Sequence, residues 1–430
     1  PYPGGYVKDP HVGAHEWVVS FDLNSLYPNL IVQYNMSPET LVVDPDERHQ
    51  SGVEHYMHNA PTVNKDLSIA ANGVTFSKEK QGILPKIISD YMLERKTTKK
   101  AMLAAMQKHA DNPSDALSRE INQLENRQMA IKILLNSLYG AIGNQHFRYF
   151  DQRIAEGITL SGQLSIQWAE RCINDEMNKI LKTDNADYVI AMDTDSLYIN
   201  FGPFIKKLAP KDPVKALDKI CAEHFEAVLQ KGYDDLFRQM NAYTNRMIME
   251  REAIADRGLW MAKKRYILNV HNNEGVQYKE PKLKIMGIEA VKSSTPQVVR
   301  DKFLQVFKII ISGSEMDTRK FINDFKTEFK SLPPEAVSFP RGCSEVKKYA
   351  DRKTIFKKGT PIHVRGALLY NNQIKDKALD KKYSPIQNGE KVLFSYLKMP
   401  NPIRQNVISF PDYIPPEMNL ARYVDYETQF

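Results

Sequence analysis

Apolar residues along this chain first gather at residues 17–21 (WVVSF), a β-prone run that ends directly on Asp22. Tyr27-Pro28 opens a new element. Residues 40–80 hold turn-forming Pro, Asn and Asp with no sustained period, and are expected to be irregular. From Leu84 to about His109 the pattern turns helical. Ile87, Ile88, Tyr91, Met92, Met102, Leu103 and Met106 keep spacings of three and four. Asp111-Asn112-Pro113-Ser114 breaks the period, and Leu117, Ile121, Leu124, Ile131, Leu135 and Leu138 resume it. Two long helices across a tight break predict an antiparallel hairpin. Residues 161–181 predict an amphipathic helix, and residues 188–200 (YVIAMDTDSLYIN) read as strand, acidic turn, strand. Residues 245–290 alternate β-like runs with basic residues. Beyond about residue 290 the expectation is mixed helix and loop, rich in Lys, Pro and Asp.

Composition changes this picture modestly. With 430 residues and 42% hydrophobic content, the chain can bury a large core and is expected to hold more than one domain. Lys and Arg number 59 against 52 Asp and Glu, a net charge of +7 that suits a polyanionic partner without establishing one. Cys172, Cys221 and Cys343 are far apart and lack zinc-ligand spacing, so they read as reduced structural thiols of a cytosolic protein. No apolar run approaches a membrane span, and no membrane partner is expected. Pro1-Tyr2-Pro3-Gly4-Gly5 carries neither an initiator Met nor a signal peptide, so the chain reads as an excised or processed fragment.

The chemistry begins with carboxylates. Asp193 and Asp195 follow an apolar run, as Asp22 follows another. Burying acids beside such strands is costly unless something positive compensates. A divalent cation held between the strands would offset both charges, and magnesium suits this best because it takes oxygen ligands and few carboxylates. A single strand-end Asp is more often a turn residue facing water. The helical hairpin shifts that balance. Arg95 and Lys99 share a helix face at i,i+4; Lys132 and Asn136 do so on the second helix, with Tyr139 following on that face. Two basic clusters on facing helices can grip a triphosphate, whereas the plain alternative is a pair of solvated faces. Lys132 speaks against the latter because it interrupts an apolar stretch (residues 129–135, MAIKILL).

Here a resemblance enters. Residues 21–28 (FDLNSLYP) resemble motif A of family B DNA polymerases, residues 132–140 (KILLNSLYG) resemble motif B, and residues 193–196 (DTDS) resemble motif C, in the family's order and separation. Residues 37–40 (SPET), 280–287 (EPKLKIMG) and 292–296 (KSSTP) resemble the T-even-like phage branch; residues 263–266 (KKRY) look like its duplex-contacting motif and residues 3–6 (PGGY) like its linker to an exonuclease domain. The ordered set is far more specific than any single motif.

The resemblance implies an α+β, right-hand polymerase: an antiparallel-sheet palm at residues 1–81 and 145–287, helical-hairpin fingers at 82–144 and a C-terminal thumb at 288–430. It implies a DNA-directed DNA polymerase joining dNTPs to a primer 3′-hydroxyl during phage replication in the host cytoplasm. Two Mg2+ ions would be held by Asp22, Asp195 and the Leu23 carbonyl, with Asp193 in support and Glu252 as a further nearby acid. Ser25, Leu26, Tyr27, Arg95, Lys99, Lys132 and Asn136 would bind dNTP, and Tyr27 would exclude a 2′-hydroxyl. Ile133, Ser137 and Tyr139 would pack on the nascent base pair. Lys263, Lys264, Arg265, Tyr266, Lys282, Lys284 and Lys292 would touch primer–template DNA. A sliding clamp and an exonuclease-bearing segment are the implied further partners. No paired-acid exonuclease motif precedes Asp22, and the text stops before a clamp-binding tail, so proofreading is expected to come from elsewhere.

Three departures stand out. Met192 replaces the small Gly that precedes the motif C acid, adding bulk where a primer end would approach. Asn29 replaces the Ser that ends motif A. The interval from Arg95 to Lys132 is short, implying a shortened hairpin. Two other readings compete: a non-catalytic primer–template-binding module, which magnesium-dependent extension would exclude, and an RNA-synthesising polymerase or reverse transcriptase, disfavoured by Tyr27 and by Asp-Thr-Asp in place of adjacent aspartates.

Overall fold

The computed structural model describes residues 2–42 and 52–430. The chain forms two compact units. The first runs to Lys263 and includes Leu268–Lys282; the second holds Lys264–Ile267 and Leu283–Phe430.

In the first unit, β1 (Gly13–Leu23) leads into α1 (Leu26–Tyr34). The stretch expected to be irregular contains β2 (Leu41–Val42), a short helix (Val53–His58), β3 (Leu67–Ile69) and β4 (Thr75–Ser77), the strands pairing in the order β2-β4-β3. Strands of two or three residues are too short to show a period-two pattern. The expected hairpin follows as α2 (Ile83–Asp111) and α3 (Asp115–Ile142). Ser114 caps α3 by accepting the Leu117 N–H, and Arg127 of α3 reaches Glu94 of α2 at 2.7 Å. The next helix, α4 (Gln152–Leu181), starts nine residues earlier than its amphipathic pattern suggested. Its first half is buried on nearly every side, with Gly157, Thr159, Ser161 and Gly162 all enclosed, so no single apolar stripe marked it. Then come β5 (Val189–Asp193), β6 (Ser196–Asn200), α5 (Glu226–Gln239), β7 (Met249–Ala262), β8 (Arg265–Asn273) and β9 (Val276–Met286), the last two divided between the units. Strand order is β5-β6-β1-β7-β8-β9. Both neighbours of β1 run antiparallel to it, as β5 does to β6.

Val19, Phe21 and Leu23 alternate along β1 into a core shared with Leu26, Leu30, Ile158, Leu197 and Ile199. The opposite register therefore sends Ser20 and Asp22 to the other face of the sheet. This alternation lifts the acid of motif A out of the core.

The second unit was expected to be helix and loop. It has the helices α6 (Gln297–Ser312), α7 (Glu315–Phe329) and α8 (Ile362–Asp376), but also an antiparallel sheet in the order β10-β13-β14. Its strands are β10 (Phe339–Gly342), β13 (Lys391–Tyr396) and β14 (Val407–Phe410); β11 (Ala350–Asp351) and β12 (Ile355–Phe356) form a separate ribbon. β10 and β13 are distant in sequence, so the pairing leaves no local hairpin signal. The chain is thus mixed helix and antiparallel sheet, as expected.

Candidate active site

The acid of motif A sits one residue before the end of β1, opposite Ser196 of β6. Ser196 Oγ donates to Asp22 Oδ1 at 2.8 Å and approaches Asp195 Oδ1 at 3.5 Å. The Leu23 N–H donates to the Asp195 carbonyl at 2.9 Å. One hydroxyl and one main-chain bond therefore hold the two acids side by side, although the sequence separates them widely.

The turn between β5 and β6 is tight. The Asp195 N–H donates to the Asp193 carbonyl at 2.6 Å across Thr194, whose φ is +59°. A β-branched residue at positive φ is strained and persists only where its surroundings enforce it. Here the enforcing segment is the PGGY motif with Val7 and Lys8 after it. Thr194 N–H donates to the Tyr6 carbonyl at 2.8 Å, Lys8 N–H donates to the Met192 carbonyl at 3.2 Å, and Val7 forms a bridge with Asp193. A methyl group on Gly5 would lie 2.8 Å from Thr194 Oγ1, so only glycine lets the segment approach this closely. The sequence resemblance had given PGGY a linker role; the fold also makes it the clamp on the acidic turn. Met192, whose bulk was expected near the primer end, is 1% exposed and packs in the core. It alternates to the face opposite Asp193.

A third acid joins. A register shift between Ser20 and Phe21 offsets the β1–β7 pairing, and Glu252 of β7 accepts from Ser20 Oγ at 2.9 Å. Burial raises the Asp195 pKa above the usual carboxylate value, and the negative charges of Asp193 and Glu252 raise it further. Among the described residues no group of three or more His, Cys, Asp and Glu side chains forms a metal cage. What is present is an all-oxygen set of two carboxylates with further acids close by. That set fits a hard cation completing its shell with substrate oxygens, and a cation there would relieve the repulsion.

At the strand-to-helix turn Ser25 adopts φ +49°, and its side chain makes no cap bond to α1. The N–H groups of Leu26 and Tyr27 open the helix, a place suited to anions. Asn29, the departure from motif A, is buried and donates to the Asn24 carbonyl at 2.6 Å, bracing this loop. Tyr27 is half-buried, and its hydroxyl is pushed up to about 12 by burial and by Asp195 and Asp193. Its ring lies 4.3 Å from that of Tyr139, centroid to centroid. The fold thus brings Tyr27, from motif A, and Tyr139, from motif B, together beside motif C.

On the hairpin, Arg95 and Lys99 lie on α2, and Lys132, Asn136, Ile133 and Ser137 on α3. Lys99, Lys132 and Asn136 are exposed. Arg95 is half-buried, and its Nε is enclosed with no hydrogen-bond partner among the described residues. The stretch that Lys132 interrupts is core only at Ile131 and Leu135, whereas Ile133 is 60% exposed. Ile133, Leu134 and Ser137 line an open apolar groove with Ile87, Tyr91 and Phe147. Lys132 itself lies on the exposed face that it shares with Asn136, so the apolar residues around it do not bury it.

Lys263 and Lys264 form the exposed β7–β8 turn, where Lys264 has φ +60° and Lys263 pairs with Asp9 at 3.1 Å. A methyl group on Gly287 would lie 2.0 Å from the Lys264 carbonyl oxygen, so the glycine of the 280–287 motif is there for that close approach. Tyr266 is 4% exposed and offers packing rather than a side-chain contact surface. Arg265 and Lys292 both reach Glu289, at 2.6 and 3.2 Å. Lys282 lies over the Tyr278 ring at 4.3 Å, and Lys284 is half-buried. Residue-type reasoning missed Ser20 and Ser196. The available signal was the period-two spacing of Ser20 from Asp22 and the place of Ser196 as the last residue of motif C.

Three motifs meeting around one acidic turn define a class, and sequence comparison agrees: the family model described as DNA polymerase family B matches residues 1–404, and the chain belongs to that family. It is 31% identical over 492 residues to the DNA-directed DNA polymerase of Enterobacteria phage T4, covering 100% of this chain and 54% of that protein. To the DNA-directed DNA polymerase of Escherichia phage RB69 it is 32% identical over 467 residues, covering 96% and 51%. To the DNA polymerase of Thermococcus gorgonarius it is 25% identical over 419 residues, covering 96% and 44%. The chain spans about half the length of these phage relatives. No helix among the described residues is long and apolar enough to cross a membrane.

Proposed function

We propose that this chain catalyses DNA-directed DNA synthesis, adding dNTPs to a primer 3′-hydroxyl on a template strand, as the names of its phage relatives suggest. The observation that carries the reading is the meeting of Asp22 and Asp195 across Ser196, with the Tyr27 and Tyr139 rings in tilted contact beside them.

Asp22, Asp195 and the Leu23 carbonyl would hold two magnesium ions, with Asp193 and Glu252 adding negative potential. Bound there, magnesium supplies acidification of the primer hydroxyl and neutralisation of the triphosphate and leaving pyrophosphate. The chain's own residues position the reactants. The first-turn N–H groups of Leu26 and Tyr27, together with Ser25, take phosphate oxygens. Arg95, with its unpartnered Nε, joins Lys99 and Lys132 in binding the remaining charge, and Asn136 donates a neutral hydrogen bond. Tyr27 lies under the sugar and collides with a 2′-hydroxyl. Ile133, Ser137 and Tyr139 face the nascent pair. Lys263, Lys264, Arg265, Lys282, Lys284 and Lys292 contact the duplex backbone, and Tyr266 is buried. On this reading residues 1–81 and 145–287 are palm, 82–144 fingers and 288–430 thumb, and a sliding clamp and an exonuclease-bearing segment on the parent protein serve the same replication machinery in the host cytoplasm.

The test is extension of a primed template by the purified chain with magnesium and dNTPs. Asp195→Asn is expected to reduce incorporation by at least about 10³-fold while primer–template affinity stays within about twofold. Comparable rates in wild type and variant would reject the metal-holding role of Asp195.

A further inference from the structure

The ring of Tyr27 is held on three sides, by Tyr139, by Gly162 and by Gly5. Tyr139 lies against its face at 4.3 Å with an interplanar angle of 31°. Beneath it is α4, at Gly162. A methyl group there would sit 3.3 Å from Tyr27 Cε1, and 3.4 and 3.5 Å from Leu26 Cδ2 and Leu30 Cδ1. At the hydroxyl end a methyl group on Gly5 would lie 2.9 Å from the Tyr27 oxygen. Tyr139 has Tyr2 close to its hydroxyl, and the Tyr2 hydroxyl fills space that glycine at 143 leaves, since a methyl group there would be 2.1 Å away. The ring is thus wedged between a tilted aromatic and a helix surface shaved to glycine.

We propose that Tyr139 and Gly162 set the height of the Tyr27 ring and are therefore positioning residues for the choice between deoxyribose and ribose. This rests on the reading of Tyr27 as the group that meets the sugar. Excluding a single hydroxyl by collision depends on where the ring sits to within a fraction of an ångström, and atoms in close-packed surroundings transmit shifts of that size. The two residues act with opposite sign. Gly162 lies on the core side of Tyr27, so adding a methyl group pushes the ring outward, toward the sugar. Tyr139 confines the ring face, so removing it lets the ring tilt away and opens room for a 2′-hydroxyl.

The experiment is single-nucleotide incorporation with a matched dNTP and rNTP, reading the ratio of their kcat/KM values for the wild-type chain and for Y27A, Y139A, Y139F and G162A. Y139A is expected to raise relative ribonucleotide use about tenfold, and Y139F, which keeps the ring and loses only the hydroxyl, by no more than about threefold. G162A is expected to lower it about threefold or more, chiefly through a higher KM for the ribonucleotide. In a Y27A background both effects should vanish, because the ring they position is gone. If Y27A itself leaves sugar discrimination unchanged, Tyr27 does not meet the sugar and the inference falls with that reading. If Y27A relaxes discrimination but Y139A and G162A both leave the ratio within about twofold of wild type, Tyr27 keeps its role and the positioning inference alone is overturned. Should G162A fail to fold by thermal melt, the Y139A and Y139F pair still decides the outcome.

Discussion

Glu39 shows how a residue without chemistry of its own can matter to the site. It lies in the SPET segment and accepts the Ile83 N–H at 2.5 Å at the start of α2, while Ser37 Oγ donates to its carboxylate at 2.7 Å. Asn35, in the left-handed region at the end of α1, accepts the Gly82 N–H at 2.8 Å. Together these residues seat the first hairpin helix on the end of the motif A helix, so the segment is a cap rather than a contact motif. Burial pushes the Glu39 pKa up, but the Ile83 N–H and Ser37 hydroxyl outweigh it and hold the carboxyl below its usual range. A lowered folded-state pKa stabilises above the unfolded value and loses that contribution as pH falls through the folded one. Glu39→Gln should therefore cost about 0.5–1 kcal/mol near neutral pH. Urea denaturation should show the gap closing under acid conditions that protonate Glu39; a gap independent of pH would mean that shape, not charge, makes the cap.

At the scale of elements, the strands around β1 carry two kinds of information. Their core-facing positions set register, and their other face gathers Ser20, Asp22 and Glu252. The offset in the β1–β7 pairing is what turns Glu252 toward Ser20, as β-bulges beside active sites commonly re-aim a side chain. The basic turn after β7 and the segment after β9 show a different balance. Glu289 already engages Arg265 and Lys292, and exposed ion pairs of this kind are weak and screened by salt. Releasing both cations by Glu289→Gln is expected to tighten primer–template binding and to steepen the dependence of log affinity on log salt by up to about two. Fluorescence anisotropy across a salt series measures this. An unchanged slope would place Arg265 and Lys292 away from the phosphates. Lys263→Ala should reduce the slope by about one.

Over the whole molecule, the apolar residues fall into separate clusters. One large core unites β1, α1, α4 and α5, and another joins α8 to β13 and β14. A chain with separate cores need not unfold in one step. Phe410→Ala, at a fully buried position of β14, is expected to cost about 3–5 kcal/mol. Hydrogen exchange should then rise in β10, β13 and β14 while β1, β5 and β6 keep their protection; an equal rise in both sets would show that the cores melt as one.

Much of the first unit was legible in the sequence because its signals are local. The hairpin helices announced themselves by period and by the Asp-Asn-Pro-Ser break, and the acidic turn by its flanking apolar runs. The second-unit sheet and the start of α4 were not legible: one depends on strands far apart in the chain, and the other is buried all round and carries no stripe. Among site residues, Asp22, Asp193, Asp195 and Tyr27 were visible as motif positions, whereas Ser196, Gly5 and Gly162 gain meaning only from neighbours distant in sequence. By itself the sequence determined which residue types are present, on which local elements, and the ordered motifs that place the chain in its family. Only the tertiary structure decided that Ser196 joins the two acids, that Met192 turns into the core, that PGGY clamps Thr194 and that Tyr139 lies on Tyr27. Periodicity records what a residue's own helix or strand requires; contacts between elements are fixed by register and close packing, which leave no mark on either partner's local sequence.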